Sequence, residues 1–218
     1  MREIFATFRA AADAAQAEKM SAYMRHQFEF IGLATPKRRE LSRDFLKSQD
    51  RTKIDWNFIF DCWQQAEREF QYLAIDSLVK HKKILSADDL PRLQQLVTTK
   101  SWWDSVDGLD SFVGQLAASN SEIAALMIDW SRADNIWLRR VAIDHQLGMK
   151  EQTDLSRLEK ILRNNLNETE FFINKAMGWA LRDVSKFDAD WVRDFISANE
   201  SGLSALTIRE ATKHMEKK

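Results

Sequence analysis

A tryptophan and a carboxylate, Trp103 and Asp107, form the most suggestive pair in this chain, within the segment KSWWDSVD at 100–107. Helix-capping residue types precede them, Thr98, Thr99 and Ser101, and predict a helix that begins here and runs to about Gln115. Residues four apart on a helix share a face, so the indole and the carboxylate are expected side by side. Together they could stabilise a positive charge that develops on a bound partner. The pattern also fits a rim tryptophan beside a solvated aspartate.

A second tryptophan lies in a basic stripe. Lys175, Trp179, Arg182 and Lys186 step by four, three and four residues along a predicted helix at 169–186. Basic side chains interleaved with aromatic rings suit phosphates together with sugars or bases. An amphipathic helix whose tryptophan straddles the boundary between two faces is the alternative.

The composition predicts a mostly helical protein. Six glycines and two prolines interrupt 218 residues that are 44% hydrophobic and 30% charged. No stretch alternates convincingly with the period of a strand. Thirteen helices are predicted, at 2–15, 17–29, 36–48, 54–65, 67–82, 87–99, 101–117, 121–132, 135–148, 153–165, 169–186, 188–198 and 203–216. We expect them to form a single domain over residues 1–218.

Several classes of protein are disfavoured. No apolar run approaches the roughly 18 residues of a membrane span, and the N-terminus lacks a signal-peptide pattern, so a cytoplasmic protein is expected. One cysteine, Cys62, and four scattered histidines give no disulfide and no zinc spacing. We therefore expect no metal and no cofactor, with Cys62 as a small buried hydrophobe. The net charge is −1, but basic residues cluster at 37–39, 80–83, 139–140 and 213–218.

A weak repeat runs through the chain. Aromatic residues open four predicted helices at intervals of 32, 35 and 35 residues, and a small apolar residue follows each one turn later. These pairs are Phe70 and Ala74, Trp102 and Val106, Trp137 and Val141, and Phe172 and Ala176. The pattern favours a curved solenoid of stacked antiparallel helical pairs of the HEAT or armadillo type. One surface of it would carry Trp103, Asp107, Arg139 or Arg140, and Lys175.

Taken together, these motifs resemble the AlkD family of DNA alkylation-repair glycosylases, which are built from HEAT-like repeats. The resemblance runs from about Lys19 to His214. It rests on MSAYM at 20–24, FIG at 30–32 followed by Pro36-x-x-Arg39, EREFQ at 67–71, TKSWWDSVD at 99–107, DNIWLxR at 134–140, EFFIxKAxGWxLR at 170–182, and Arg209-Glu210. A departure is Gly148, where relatives can carry lysine, with Lys150 nearby.

The resemblance implies a monofunctional glycosylase that removes purines alkylated at N7 or N3 from duplex DNA without flipping the base. Asp107 would be the catalytic carboxylate, and Trp103 and Trp179 would clasp the deoxyribose of the damaged nucleotide. The implied DNA contacts are Tyr23, Arg39, Lys100, Arg140, Lys175 and Arg182, with Arg140 on the backbone. Double-stranded DNA would be the partner of a monomeric protein.

The residue types suit that chemistry independently. An N7-alkylated purine is already cationic, so a carboxylate beside the sugar could stabilise the oxocarbenium-like charge and orient water. Two other functions remain open on the same scaffold. One is a non-catalytic protein that binds bent or branched DNA, and the other is a HEAT adaptor that binds a peptide.

Overall fold

The chain is all-α, as its composition predicts. The computed structural model describes residues 2–215, in which thirteen α-helices and four short 3₁₀ helices account for the regular structure apart from one isolated β-bridge, Glu29 to Glu67. The chain divides into two compact units, Met1–Leu85 and Ser86–Lys218, and the expectation of a single domain stays a prediction. None of the described helices is long and apolar enough to cross a membrane.

The described residues of the first unit form five α-helices, and aromatic side chains pack in its core. They are α1 (Glu3–Ala10), α2 (Ala14–Tyr23), α3 (Thr35–Ser48), α4 (Trp56–Gln64) and α5 (Arg68–His81). The ring of Phe70, at the start of α5, lies 4.7 Å from Phe5 and 5.7 Å from Phe8, centroid to centroid. Cys62 is fully buried in this unit, and burial raises the pKa of its thiol, as expected for a structural residue.

A buried carboxylate fixes the connection between α2 and α3. The main-chain N–H groups of Ile31, Gly32 and Leu33 donate to Glu69, at 2.8 to 3.0 Å. Three such hydrogen bonds compensate the charge of a fully buried glutamate. The connection can only follow this path because Gly32 has φ of 98° and no Cβ to strike the Asp13 carbonyl.

Within residues 86–215, the second unit contains eight α-helices. They are α6 (Leu90–Thr98), α7 (Trp103–Ser119), α8 (Ser121–Trp130), α9 (Ile136–Asp144), α10 (Leu155–Arg163), α11 (Phe171–Val184), α12 (Ala189–Ala198) and α13 (Ala205–Ala211). Helix α9 packs against both α7 and α11, and α11 also packs against α12 and α13.

The predicted repeat has a structural counterpart in this unit. Trp102, Trp137 and Phe172 open successive members of the α7, α9 and α11 set, and their rings meet with centroids 5.0 to 5.8 Å apart. The small residues that follow them one turn later are all buried. This cluster aligns the starts of the three helices that carry the predicted site residues.

Helix boundaries differ from the predictions where capping groups or backbone angles intervene. The hydroxyl groups of Thr98, Thr99 and Ser101 donate to carbonyls at the end of α6, at 2.6 to 2.9 Å. They therefore close α6, and the prediction that they cap α7 was wrong. Helix α7 begins at Trp103 and runs past Gln115 to Ser119.

Several other predicted helices extend too far, and those at 2–15 and 203–216 end at Ala10 and Ala211 in the structure. Helix α2 ends at Tyr23 because Arg25 and His26 adopt left-handed angles, with φ of 56° and 55°. Helix α9 ends at Asp144, and Gly148 has φ of 82°. A side chain at Gly148 would meet no atom within 4 Å, so backbone conformation rather than space favours glycine there.

A glycine sets the distance between α7 and α9. An ideal Cβ at Gly114 would lie 2.0 Å from the main-chain oxygen of His145, just after α9. Gly114 continues the face of α7 that carries Trp103 and Asp107. The missing side chain therefore lets α9 approach the helix of the predicted catalytic carboxylate.

We expect Gly114→Ala to lower the free energy of unfolding by about 1–3 kcal/mol, because overpacking against main chain outweighs the gain in helix propensity. Urea unfolding measures the change. Ser111→Ala, at an exposed position of the same helix, is the matched control and should stay within about 0.5 kcal/mol of the wild type. A Gly114→Ala protein as stable as the wild type would contradict this account of the α7–α9 contact.

Candidate functional site

The centre of the candidate site is a half-exposed carboxylate on α7. Trp103 and Asp107 lie one turn apart in a continuous helix, so the prediction that they share a face is confirmed. The Asp107 side chain retains 24% of its accessible surface, and Trp103 is also half-buried. The opposite stripe of α7, from Val106 to Leu116, is buried in the core as predicted.

Helix α9 supplies the partner of that carboxylate. Arg140 donates from Nε to Oδ1 of Asp107 at 2.7 Å and from Nη2 to Oδ2 at 2.8 Å. Its remaining nitrogen, Nη1, donates to the main-chain oxygen of Phe172 at 2.7 Å. Only 1% of Arg140 is exposed. The bidentate bond fixes the plane and position of the Asp107 carboxylate.

Helix α11 brings the second tryptophan to the same guanidinium. The Cζ atom of Arg140 lies 5.0 Å from the ring centroid of Trp179, and Nζ of Lys175 lies 5.9 Å from it. Trp179 is half-buried, like Trp103. The structure thus links Asp107 and Trp179, which are 72 positions apart in the sequence, through one buried cation.

Two buried carboxyl groups, for which the sequence predicts no role, lie behind this pair. Asp144 is 2% exposed, with Oδ2 at 3.8 Å from Nη2 of Arg140. Burial raises the pKa of Asp144 to about 7, against the opposing effect of Arg140. Burial also raises the pKa of Asp110 well above its ordinary value. The sequence contains a signal for both positions: Asp144 follows Arg140 by four residues and Asp110 follows Asp107 by three, spacings that place each pair on one helix face.

Besides Arg140, two predicted DNA-binding cations already have a carboxylate partner. Nζ of Lys175 lies 2.6 Å from Oε1 of Glu210, and Nη1 of Arg182 lies 2.8 Å from Oε2. Hydrogen bonding to Lys175 and Arg182 lowers the pKa of the Glu210 carboxyl. Glu210 comes this close because Gly178 of α11 has no Cβ, which would lie 2.5 Å from the Cβ of Glu210.

The remaining predicted contacts lie in different environments. In the first unit, Tyr23 ends α2 and is 71% exposed, and Arg39 is exposed on α3, whereas the adjacent Arg38 is buried against Asp76. In the second unit, Lys100 is half-exposed with a φ of 49°, and Arg139 is paired with Glu168. Contacts of these side chains with DNA stay predictions.

No cluster of three or more His, Cys, Asp or Glu residues suited to a metal ion occurs within residues 2–215. Two histidines, His81 and His145, are buried. Both ring nitrogens of His81 and the Nδ1 atom of His145 lie 2.6 to 2.9 Å from main-chain carbonyl oxygens. Burial lowers the pKa of His145 to about 4.

Solved structures of similar fold span both units. A structure described as a predicted DNA alkylation repair enzyme from Enterococcus faecalis is 36% identical, with a TM-score of 0.87 over 95% of this chain and 98% of that one. AlkD2 from Streptococcus mutans is 17% identical, with a TM-score of 0.62 over 92% of this chain and 100% of that one, and supports the fold alone. No curated protein matches the sequence significantly.

The family model for DNA alkylation repair enzymes matches residues 4–215, so it includes the segments that hold Trp103, Asp107, Arg140 and Trp179. The all-α, HEAT-like fold predicted from the sequence is confirmed by the similarity to the Enterococcus faecalis structure. The family resemblance is confirmed as well: the chain belongs to the DNA alkylation repair enzyme family.

Proposed function

We propose that the protein is a monofunctional DNA glycosylase that hydrolyses the N-glycosidic bond of cationic N7- or N3-alkylated purines in duplex DNA. The observation that supports this most directly is the arrangement of Asp107. Its carboxylate is half-exposed, held by the bidentate bond to Arg140, and associated with Trp103 on its own helix and Trp179 through Arg140.

The chemistry requires little help at the base. An alkylated purine leaves as a neutral base, and positive charge develops on the deoxyribose as the bond breaks. A preorganised carboxylate next to that sugar stabilises the charge without moving. Asp107 then orients the water that attacks the anomeric carbon and accepts its proton.

The two tryptophans contribute the walls of the sugar site. An indole face attracts a nearby cation by about 0.5–2 kcal/mol, depending on how much water is excluded. Trp103 and Trp179 are both half-buried, so part of each side chain is packed and part is exposed to solvent. Because these groups act on the sugar, the proposal requires no pocket for a flipped base.

A second function is compatible with one feature of the site. The bidentate bond to Arg140 leaves Asp107 and Arg140 together with no net charge, as in an ordinary structural ion pair. A non-catalytic protein that binds bent or branched DNA would need no more than this. Excision of an alkylated base discriminates between the two functions.

We expect Asp107→Asn to reduce single-turnover release of 7-methylguanine from a defined duplex by about 100-fold or more, because the charge that stabilises the sugar is lost. Affinity for the duplex should be unchanged or higher. The matched control is Asp129→Asn, at an exposed position of α8, which should release the base at the wild-type rate.

Release by Asp107→Asn at a rate close to the wild type would remove Asp107 from the mechanism. Absence of release by the wild type, together with salt-sensitive binding to duplex DNA, would overturn the glycosylase proposal in favour of the DNA-structure binder. Binding that does not weaken with salt would favour the peptide adaptor.

We expect Arg140→Lys to slow release at saturating duplex, since an ammonium group cannot make the bidentate bond that orients Asp107. It should also lower the free energy of unfolding by about 1–3 kcal/mol, because at least one buried acceptor that now bonds Arg140 loses its partner. Single-turnover kinetics and urea unfolding test the two effects. Arg139→Lys changes the adjacent cation, which pairs with Glu168, and should retain the wild-type release rate. Loss of duplex affinity alone would instead identify Arg140 as a backbone contact.

We expect Glu210→Gln to increase duplex affinity, because Lys175 and Arg182 would be freed to contact phosphates. The slope of log affinity against log salt concentration should steepen by about 1–2, corresponding to one or two additional phosphate contacts. Fluorescence anisotropy at several salt concentrations measures it. The control is Glu159→Gln, which removes a carboxylate paired with Arg163 on α10. An unchanged slope in Glu210→Gln would argue against phosphate contacts by these two cations.

A further inference from the structure

The net charge of the site poses a physical problem for the proposed chemistry. A sugar that becomes cationic is stabilised by negative potential, but the guanidinium of Arg140 bonds both oxygens of Asp107 at 2.7 and 2.8 Å. At that distance the pair acts on its surroundings largely as a neutral unit. A further negative charge beside this pair would give the protein side of the site a net negative potential.

Asp144 is positioned to supply it. Its Oδ2 lies 3.8 Å from Nη2 of Arg140, the same nitrogen that donates to Oδ2 of Asp107. Neither oxygen of the buried Asp144 carboxyl has a hydrogen-bond partner among the described residues. A buried carboxyl without such a partner is rare in folded proteins and is more common at functional sites.

The energetic cost of burying the Asp144 carboxyl also indicates a functional role. Because burial raises the pKa of Asp144 to about 7, the folded chain holds a proton that the unfolded chain has lost above pH of about 4. The contribution of Asp144 to stability is therefore lost as the pH rises from about 4 to about 7. An ionised Asp144 destabilises the fold, so packing alone does not account for a carboxyl group at this position.

The charged groups around Asp144 are few. On its own helix Arg140 lies beside it, whereas Arg139 pairs with Glu168. Helix α7 provides Asp107 and Asp110. The charged groups of the other helices packed against α9 are exposed or bound elsewhere. They are Asp89 with Arg92 at α6, Glu122 and Asp129 on α8, Asp154 with Arg157, Glu159 with Arg163, and Lys160 at α10, and Lys175, Arg182 and Asp183 on α11.

We propose that Asp144 is a positioning residue which, when ionised, shares the guanidinium of Arg140 with Asp107 and gives the site the net negative charge that stabilises the cationic sugar. The proposal rests on the glycosylase function proposed above. Asp144 does not contact the substrate. It acts through Arg140, and it makes excision dependent on pH in the neutral range.

The first test is the pH profile of single-turnover 7-methylguanine release between pH 5.5 and 8, corrected for spontaneous release from free duplex. The wild-type rate should rise about tenfold through pH 7, the effect of a unit charge about 10 Å away at an effective dielectric constant of about 20. Asp144→Asn should remain at the low-pH rate throughout. Asp110→Asn is the matched control and should retain the rise.

A wild-type profile that is flat, or a rise that persists in Asp144→Asn, would overturn the proposal. A rise lost in Asp110→Asn and retained in Asp144→Asn would assign the charge to Asp110 instead. Thermal unfolding over the same range checks the ionisation itself. The wild type should lose stability as the pH rises towards 7, and Asp144→Asn should lose less.

A second test does not depend on excision. It uses two duplexes that differ at one sugar. One carries a protonated pyrrolidine in place of the deoxyribose, and the other carries a neutral tetrahydrofuran. The affinity of the protein for each is measured. The preference of the wild type for the cationic duplex should increase about tenfold between pH 5.5 and 8, and that of Asp144→Asn should not change. If this preference appears without any base release, the glycosylase function fails, while the negative potential that ionised Asp144 gives the site is still supported. If release occurs without the preference, the role of Asp144 fails alone.

Discussion

A guanidinium that is 1% exposed needs hydrogen-bond acceptors for its N–H groups, and Arg140 finds them by joining three helices. Two of its nitrogens bond Asp107 on α7, the third bonds the carbonyl of Phe172 on α11, and Arg140 itself belongs to α9. Removing either partner would leave a buried charge uncompensated, so the fold and the site depend on the same bonds. The carboxylate proposed to act on DNA is therefore also part of what keeps α7, α9 and α11 together.

Close helix packing allows Arg140 to make these bonds to two neighbouring helices. The aromatic rings of Trp102, Trp137 and Phe172 align the starts of the three helices, and Gly114 lets the end of α9 approach α7 without a side chain between them. A second glycine, Gly178, lets α13 approach α11 in the same way. Small errors in such distances would lengthen a bond that is now 2.7 Å, so preorganisation of the carboxylate depends on packing remote from it.

The cations near the site are balanced by carboxylates rather than free. Lys175 and Arg182 share Glu210, Arg139 is paired with Glu168, and Arg140 lies between Asp107 and Asp144. Phosphate groups of DNA would have to compete with Glu210 for Lys175 and Arg182. This balance agrees with a net charge of −1 for the whole chain and moderates the affinity expected from a basic stripe alone.

The sequence by itself determined the helical fold, because scarce glycine and proline and the apolar spacing within each segment are local properties. It also determined which face Trp103 and Asp107 share, since both lie within one turn of one helix. The prediction that Thr98, Thr99 and Ser101 cap the start of α7 was wrong, because hydroxyl side chains can also bond the last carbonyls of the helix that precedes them. Only the tertiary structure decided that Arg140 and Glu210 are the partners of Asp107 and of Lys175, since these contacts join residues 33 and 35 positions apart. Likewise, Asp144 became significant only through its burial, because the pKa of a carboxyl depends on the water and charges around it rather than on its neighbours in the chain.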